Sequence, residues 1–203
     1  MAVSICIEPA RRIVTRRAVL ALPLRLATAN VTPLAAADEN LDYHGGWLSW
    51  PGGMTRAAIG RAGVSTQKKE GDGATPAGAF PLVEAFYRAD RVVPPPQTRL
   101  PLHALSPSDG WVDDPADRNY NHLVSLPYPA HAEAMWLGDA VYDLLIVIGY
   151  NTSPVVRGAG SAIFLHIARP DFSPTAGCIA IERAVLVKLM PLLGPRSSVT
   201  IHG

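Results

Sequence analysis

The stretch LHIARPDFSPTAGCIAI, residues 165–181, places one histidine and one cysteine twelve positions apart, with a Thr-x-Gly directly before the cysteine. Its lead-in, residues 161–168 (SAIFLHIA), is a short continuous apolar run of the kind that forms a fully buried strand, and His166 falls near its end. Cys178 follows a loop. Beyond it, residues 182–193 (ERAVLVKLMPLL) carry Val185, Leu186, Leu189, Leu192 and Leu193 at helical spacing, until Pro191 weakens the last turn and Gly194-Pro195 ends it. Strand-end histidine, loop, cysteine and helix can bring the two side chains together across a sheet. Each residue has two readings. A cysteine in Gly-Cys-Ile-Ala-Ile is a small hydrophobe of a core, or a nucleophile. A histidine in Ile-Phe-Leu-His-Ile is a hydrogen-bonded core residue, or the base that takes the thiol proton.

Outward from that stretch, residues 142–150 (YDLLIVIGY) read as another fully buried strand and residues 198–202 (SVTIH) as a last one. Residues 79–87 alternate in part and follow the turn Thr75-Pro76-Ala77-Gly78. Ahead of that turn, Lys68, Lys69 and Glu70 flank a Gly71-Asp72-Gly73 loop. Residues 47–50 form a short strand closed by Pro51-Gly52-Gly53, with residues 55–59 as its hairpin partner. Residues 103–130 are loop-like, with strand-sized pieces at 110–112 and 122–126; a loop this long is functional or carries its own irregular packing. Within it, Trp111, Tyr120, Asn121 and His122 line a groove or satisfy the loop's own backbone. Asp113, Asp114 and Asp117 lack the glycine and terminal glutamate of a calcium loop and read as a polar turn. The fold class that follows is mainly β, a β-sandwich or partly closed barrel with a helix after the cysteine.

The 203 residues, 48% hydrophobic and 17% charged, suffice for one domain with a single core. Nineteen prolines and seventeen glycines cut the chain into short segments, which favours strands and loops over long helices. A net charge of +1 provides no field that would draw nucleic acid. Residues 1–37 read as an export signal: Arg11, Arg12, Arg16 and Arg17, a weakly apolar AVLALPL, then Ala35-Ala36-Ala37 as a cleavage-like site. TRRAVL, residues 15–20, resembles a twin-arginine signal. The expectation is a mature domain of residues 38–203 in the periplasm or cell envelope, with no integral membrane segment, or a cytoplasmic protein if the leader is no signal. Loss of the leader removes Cys6 and leaves Cys178 alone, which excludes a disulfide within the mature chain.

The His-to-Cys stretch resembles the catalytic motif of the L,D-transpeptidase (YkuD-like) family: a histidine, a short loop, then Ser/Thr-x-Gly-Cys. Thr75-Pro76-Ala77-Gly78-Ala79-Phe80 is similar to the family's Thr-Pro-x-Gly-x-Phe entry, and Ile163-Phe164-Leu165-His166 to its histidine-bearing strand. Tyr142-Asp143 and Gly149-Tyr150-Asn151 are similar to a compact single-domain branch, and the likeness covers about residues 45–203. The resemblance implies the L,D-transpeptidase catalytic-domain fold and a cysteine acyltransferase acting on peptidoglycan stem peptides, without cofactor or metal. Cys178 is then the nucleophile and His166 its base. The backbone N–H groups of Gly177 and Cys178 hold the oxyanion, and Thr175 steadies the loop. A thiol paired with imidazolium ahead of a helix is expected to ionise below the ordinary cysteine range.

Two positions depart from the family pattern: Ala176 where many members carry His, and Ala180 where many carry Arg or Asn. Arg169 or Arg157 stands in as the group for a substrate carboxylate. Two other functions fit the same residues. An L,D-carboxypeptidase or other amide hydrolase would use the same pair with water as acceptor. A non-catalytic envelope-binding module would seal Cys178 in a core.

Overall fold

A computed structural model describes residues 38–203, and the export reading of residues 1–37 lies outside them. Strands β1 (Leu41–His44), β2 (Trp47–Trp50) and β3 (Gly53–Ala58) form an antiparallel meander. Short β4 (Val64–Ser65) and β5 (Thr75–Pro76) pair in parallel, and the ten-residue β6 (Gly78–Tyr87) has β7 (Leu102–Ala104) along its second half. β8 (Asp109–Val112), β9 (Leu123–Ser125) and β10 (Ala132–Ala134) make a separate three-stranded sheet. The chain finishes with β11 (Leu144–Ile148), β12 (Phe164–Ile167), β13 (Ile179–Ile181), helix α1 (Arg183–Leu189), a 3-10 turn over Met190–Leu192, and β14 (Ser198–Ile201).

The main sheet closes on itself. Its order is β11-β12-β13-β3-β2-β1-β14-β6, and β6 pairs back onto β11. β6 makes closure possible by dividing its length: residues 78–81 pair with β14, and Leu82 with residues 85–87 pair with β11. The structure is therefore a closed barrel-like sheet rather than a sandwich, and closure removes the edges that an open sheet would expose.

Alternation along the strands produces two cores. Leu144, Ile146 and Ile148 of β11 point inward with Leu165, Ile167, Ile179 and Ile181, and α1 adds Leu186 and Leu189. Each such side chain contributes about 1.5–3 kcal/mol when taken from water. The intervening Leu145, Val147 and Phe164 point outward, where Trp111, Met135, Val141 and Tyr142 cover them. The three-stranded sheet and the chain around it are thus a second layer over one flank of the barrel.

Three expectations change. A strand β1 precedes the anticipated one, joined to β2 through Gly45 and Gly46 at φ +56° and +90°, the left-handed pair that a two-residue hairpin demands. A strand, β13, lies between Cys178 and the helix. The helix itself stops at Leu189, and the chain tightens to a 3-10 turn around Pro191, which has no N–H for the α ladder. Of the described residues, none belongs to a helix long and apolar enough to cross a membrane.

Candidate active site

His166 and Cys178 reach one place through strand pairing. β12 and β13 run in parallel, with Leu165 opposite Ile179 and His166 opposite Ala180. Phe164 and His166 face the outer layer while Leu165 and Ile167 face the barrel interior. Cys178, one step before β13, faces outward too and packs with Phe164 and Tyr142. Both residues wall one cleft of about 370 Å³, together with Tyr142, Glu133, Thr175 and Gly177.

The loop between them is locked before any substrate arrives. Thr175 accepts the Gly177 N–H on its Oγ1 at 3.1 Å and donates that hydroxyl to the Cys178 carbonyl at 2.7 Å. Its own backbone bonds Ile59 and Arg61, tying the loop to the chain after β3. Thr75 donates to the Gly177 carbonyl at 2.8 Å. Gly177 stands at φ +151°, and a Cβ there would meet the Ala74 carbonyl at 2.9 Å, so only glycine fits. Arg56 lies over the Phe172 ring at 4.8 Å and steadies the middle of the loop. The Gly177 N–H, expected to face an oxyanion, is instead committed to Thr175.

The thiol donates to the Ala162 carbonyl at 3.2 Å and accepts the Phe164 N–H at 3.3 Å. Ala162 is at φ +52°, and Asn121 holds it by accepting its N–H at 3.0 Å. Asn121 also takes the Trp111 indole N–H and donates to the Asn151 carbonyl, so it pins the long loop to the site. Of the two readings of Tyr120–His122, backbone satisfaction is what Asn121 performs. Opposite, the His166 Nδ1–H donates to the Ile167 carbonyl at 3.0 Å, which turns Nε2 into the ring's basic nitrogen.

Burial decides the protonation states. It pushes the Cys178 thiol up to about 12, reinforced by the Glu133 charge and opposed by the Phe164 and Tyr142 hydrogen bonds. It drives His166 down to about 4, with the Ile167 hydrogen bond opposing. Both shifts run against the expected resting thiolate–imidazolium pair: burial under the outer layer favours the neutral form of each group. The anticipated help from a helix dipole is also absent, since β13 separates Cys178 from the seven-residue α1.

Around the cleft, Arg169 lines the wall and pairs with Asp139 at 3.2 Å. Arg157 does not line it; its guanidinium donates to the Ala116 carbonyl at the surface. Ala176 faces the cleft, whereas Ala180 is 1% exposed between His166 and Ala58. Asp114 and Asp117 accept N–H groups of their own turn. Sequence reading passed over Arg61, Lys68, Glu70 and Glu133 as cleft residues. For Glu70 a signal existed, a charged KKE run against Gly-Asp-Gly; for Glu133, in an otherwise unmarked HAEAMW, there was none.

A histidine on β12 and a cysteine just ahead of the neighbouring β13 thus share one cleft on the outer face of a closed β-sheet. The family model described as the L,D-transpeptidase catalytic domain matches residues 41–201, and the protein belongs to that family. No curated protein matches the chain.

Proposed function

We propose that the protein is an L,D-transpeptidase that acts on peptidoglycan stem peptides through an acyl-enzyme on Cys178. The observation that supports this reading is that Cys178 and His166 wall the same open cleft, inside the span matched by the family. The nucleophile starts as a neutral thiol. As a stem-peptide carbonyl comes within reach, His166 Nε2 takes the thiol proton while sulfur attacks the carbon. The imidazolium then protonates the departing amine and a thioester remains. The Cys178 N–H donates to the oxyanion, while Thr175 and Gly177 keep the loop in shape. Arg169, at the cleft wall, binds a substrate carboxylate. An amine acceptor completes transpeptidation; water in its place makes the enzyme an L,D-carboxypeptidase.

The test is mass spectrometry of the protein incubated with a defined tetrapeptide muropeptide. Wild type is expected to show one added acyl mass and cross-linked product, and folded Cys178→Ala neither. Product formation by Cys178→Ala would sink the assignment. A wall substrate also requires export, so removal of residues 1–37 belongs to the same proposal. Sequencing of envelope protein is expected to begin near Asp38, and intact Met1 on cytosolic protein counts against it.

A further inference from the structure

We propose that Glu133 is the base of the acceptor half-reaction, held in place by Tyr142, and that it takes a proton from the incoming ammonium group; this rests on the acyl-enzyme reading above. Glu133 lies on β10, in the outer layer, and lines the same cleft as Cys178. Its Oε1 accepts the Tyr142 hydroxyl at 2.7 Å. Tyr142 is buried, stands edge-on to His166 with ring centroids 5.3 Å apart and to Phe164 at 5.8 Å, and packs in one cluster with Cys178. The thiol is therefore flanked by two proton-handling groups from different layers: His166 from the barrel, and the Glu133–Tyr142 pair from the insert.

The chemistry has work for both. An alkylamine at neutral pH is an ammonium ion, which has no lone pair to attack with. A neutral imidazole does not attract it, and a carboxylate does. Asp113 and Glu70 line the same cleft and add to that attraction; Arg61, Lys68 and Arg169 on the same walls, with His131 paired to Asp113, offset part of it, so Glu133 acts by its position beside the thiol rather than by the net field. Burial, then the Asp113 and Glu70 charges, raise the Glu133 carboxyl above its ordinary range, and the Tyr142 hydrogen bond partly opposes them. A carboxylate so raised is a stronger base than a solvated one.

The step balances as follows. The ammonium passes one proton to Glu133. The neutral amine forms a C–N bond to the thioester carbon, and the C–S bond breaks. The second proton goes to His166 and from there to the departing sulfur. Glu133 releases its proton to solvent, so thioester and ammonium give amide, thiol and one proton.

The experiment uses the full chain, a tetrapeptide muropeptide as donor, and two acceptors that compete with water: a primary alkylamine, charged at neutral pH, and hydroxylamine, uncharged there. Acyl-enzyme formation and the transfer-to-hydrolysis ratio are read by mass. Glu133→Gln removes the negative charge beside the thiol, so acylation is expected to be as fast or faster. Transfer to the alkylamine is expected to fall about 10²-fold, the lower range for loss of a general base, with transfer to hydroxylamine within about twofold. Tyr142→Phe keeps the ring against His166 and, by loosening Glu133, is expected to lower the alkylamine ratio about 3- to 10-fold; it carries the test if Glu133→Gln fails to fold. Normal acylation with an unchanged alkylamine ratio overturns this proposal alone. A parallel fall in acylation and both transfers overturns it too, because Glu133 then only props the site. A wild type that never forms the acyl-enzyme overturns it together with the reading it rests on.

Discussion

The two faces of β12 hold opposite kinds of side chain. Leu165 and Ile167 enter a barrel interior of aliphatic neighbours from β11 and β13. Phe164 and His166, one residue over, meet aromatic rings, a thiol and a tyrosine hydroxyl tied to Glu133. Both faces are buried, yet only the outer one contains groups whose charge state can change. The inner face is where stability accumulates. On the outer face the same exclusion of water that stabilises the inner one holds a cysteine and a histidine neutral, in opposite senses: the thiol against losing a proton, the imidazole against gaining one.

The separation can be broken from either side. His166→Ala acts on the outer face, and the turnover rate is expected to fall by about 10²- to 10⁴-fold while the thermal midpoint moves little. Steady-state kinetics beside a melting curve check it, and a large loss of stability with rate intact would erase the distinction. Leu165→Ala acts on the inner face. It is expected to cost about 2–5 kcal/mol of unfolding free energy in denaturant titration, with near-normal turnover per folded molecule.

Titration sharpens the contrast further. His166 titrates near 4 when folded and 6.5 when unfolded. Its contribution is complete above pH 6.5 and is lost as pH falls toward 4, a change of about 3 kcal/mol at most. Cys178 titrates near 12 when folded and 9.0 when unfolded. Its contribution is complete below pH 9 and is lost as pH rises toward 12, about 4 kcal/mol at most. Unfolding measured against pH is expected to show both limbs, with Cys178→Ala reducing the slope of the alkaline one, which the raised Tyr120, Tyr142 and Tyr150 share, and His166→Gln that of the acid one. Iodoacetamide labelling of folded protein is likewise expected to rise with pH well past neutrality; rapid labelling at pH 6 would mean that the thiol is already ionised at rest.

Much of this was legible in the chain. Continuous apolar runs marked β11 and β12, and the Thr-x-Gly-Cys stretch after His166 marked two side chains that the structure brings to one cleft. Turn signals marked the hairpin of β2 and β3. The HGGW signal for β1 was present and went unused. β13 was hidden because Ile179-Ala180-Ile181 is three residues long and runs straight into a helical pattern. The protonation states were not legible, because they depend on which residues from 105–142 fold over the barrel, and that is a matter of tertiary packing. The same holds for Glu133, whose place in the cleft comes from the pairing of β10 with β8. Arg169 and Arg157 looked alike in sequence, and only the path of the loop sends one to the cleft and the other to Ala116.

The Ala162 carbonyl that accepts the thiol's hydrogen bond also bears on durability. Peroxide and disulfides react with the thiolate, so a sulfur held protonated, with its hydrogen engaged and its side chain largely buried, is a slow target for sulfenic acid formation and for mixed disulfides. On the proposed export, a pre-ionised cysteine would meet oxidants outside the reducing cytosol between turnovers. In the proposed mechanism, a sulfur armed only when a carbonyl enters the cleft trades peak reactivity for a long working life.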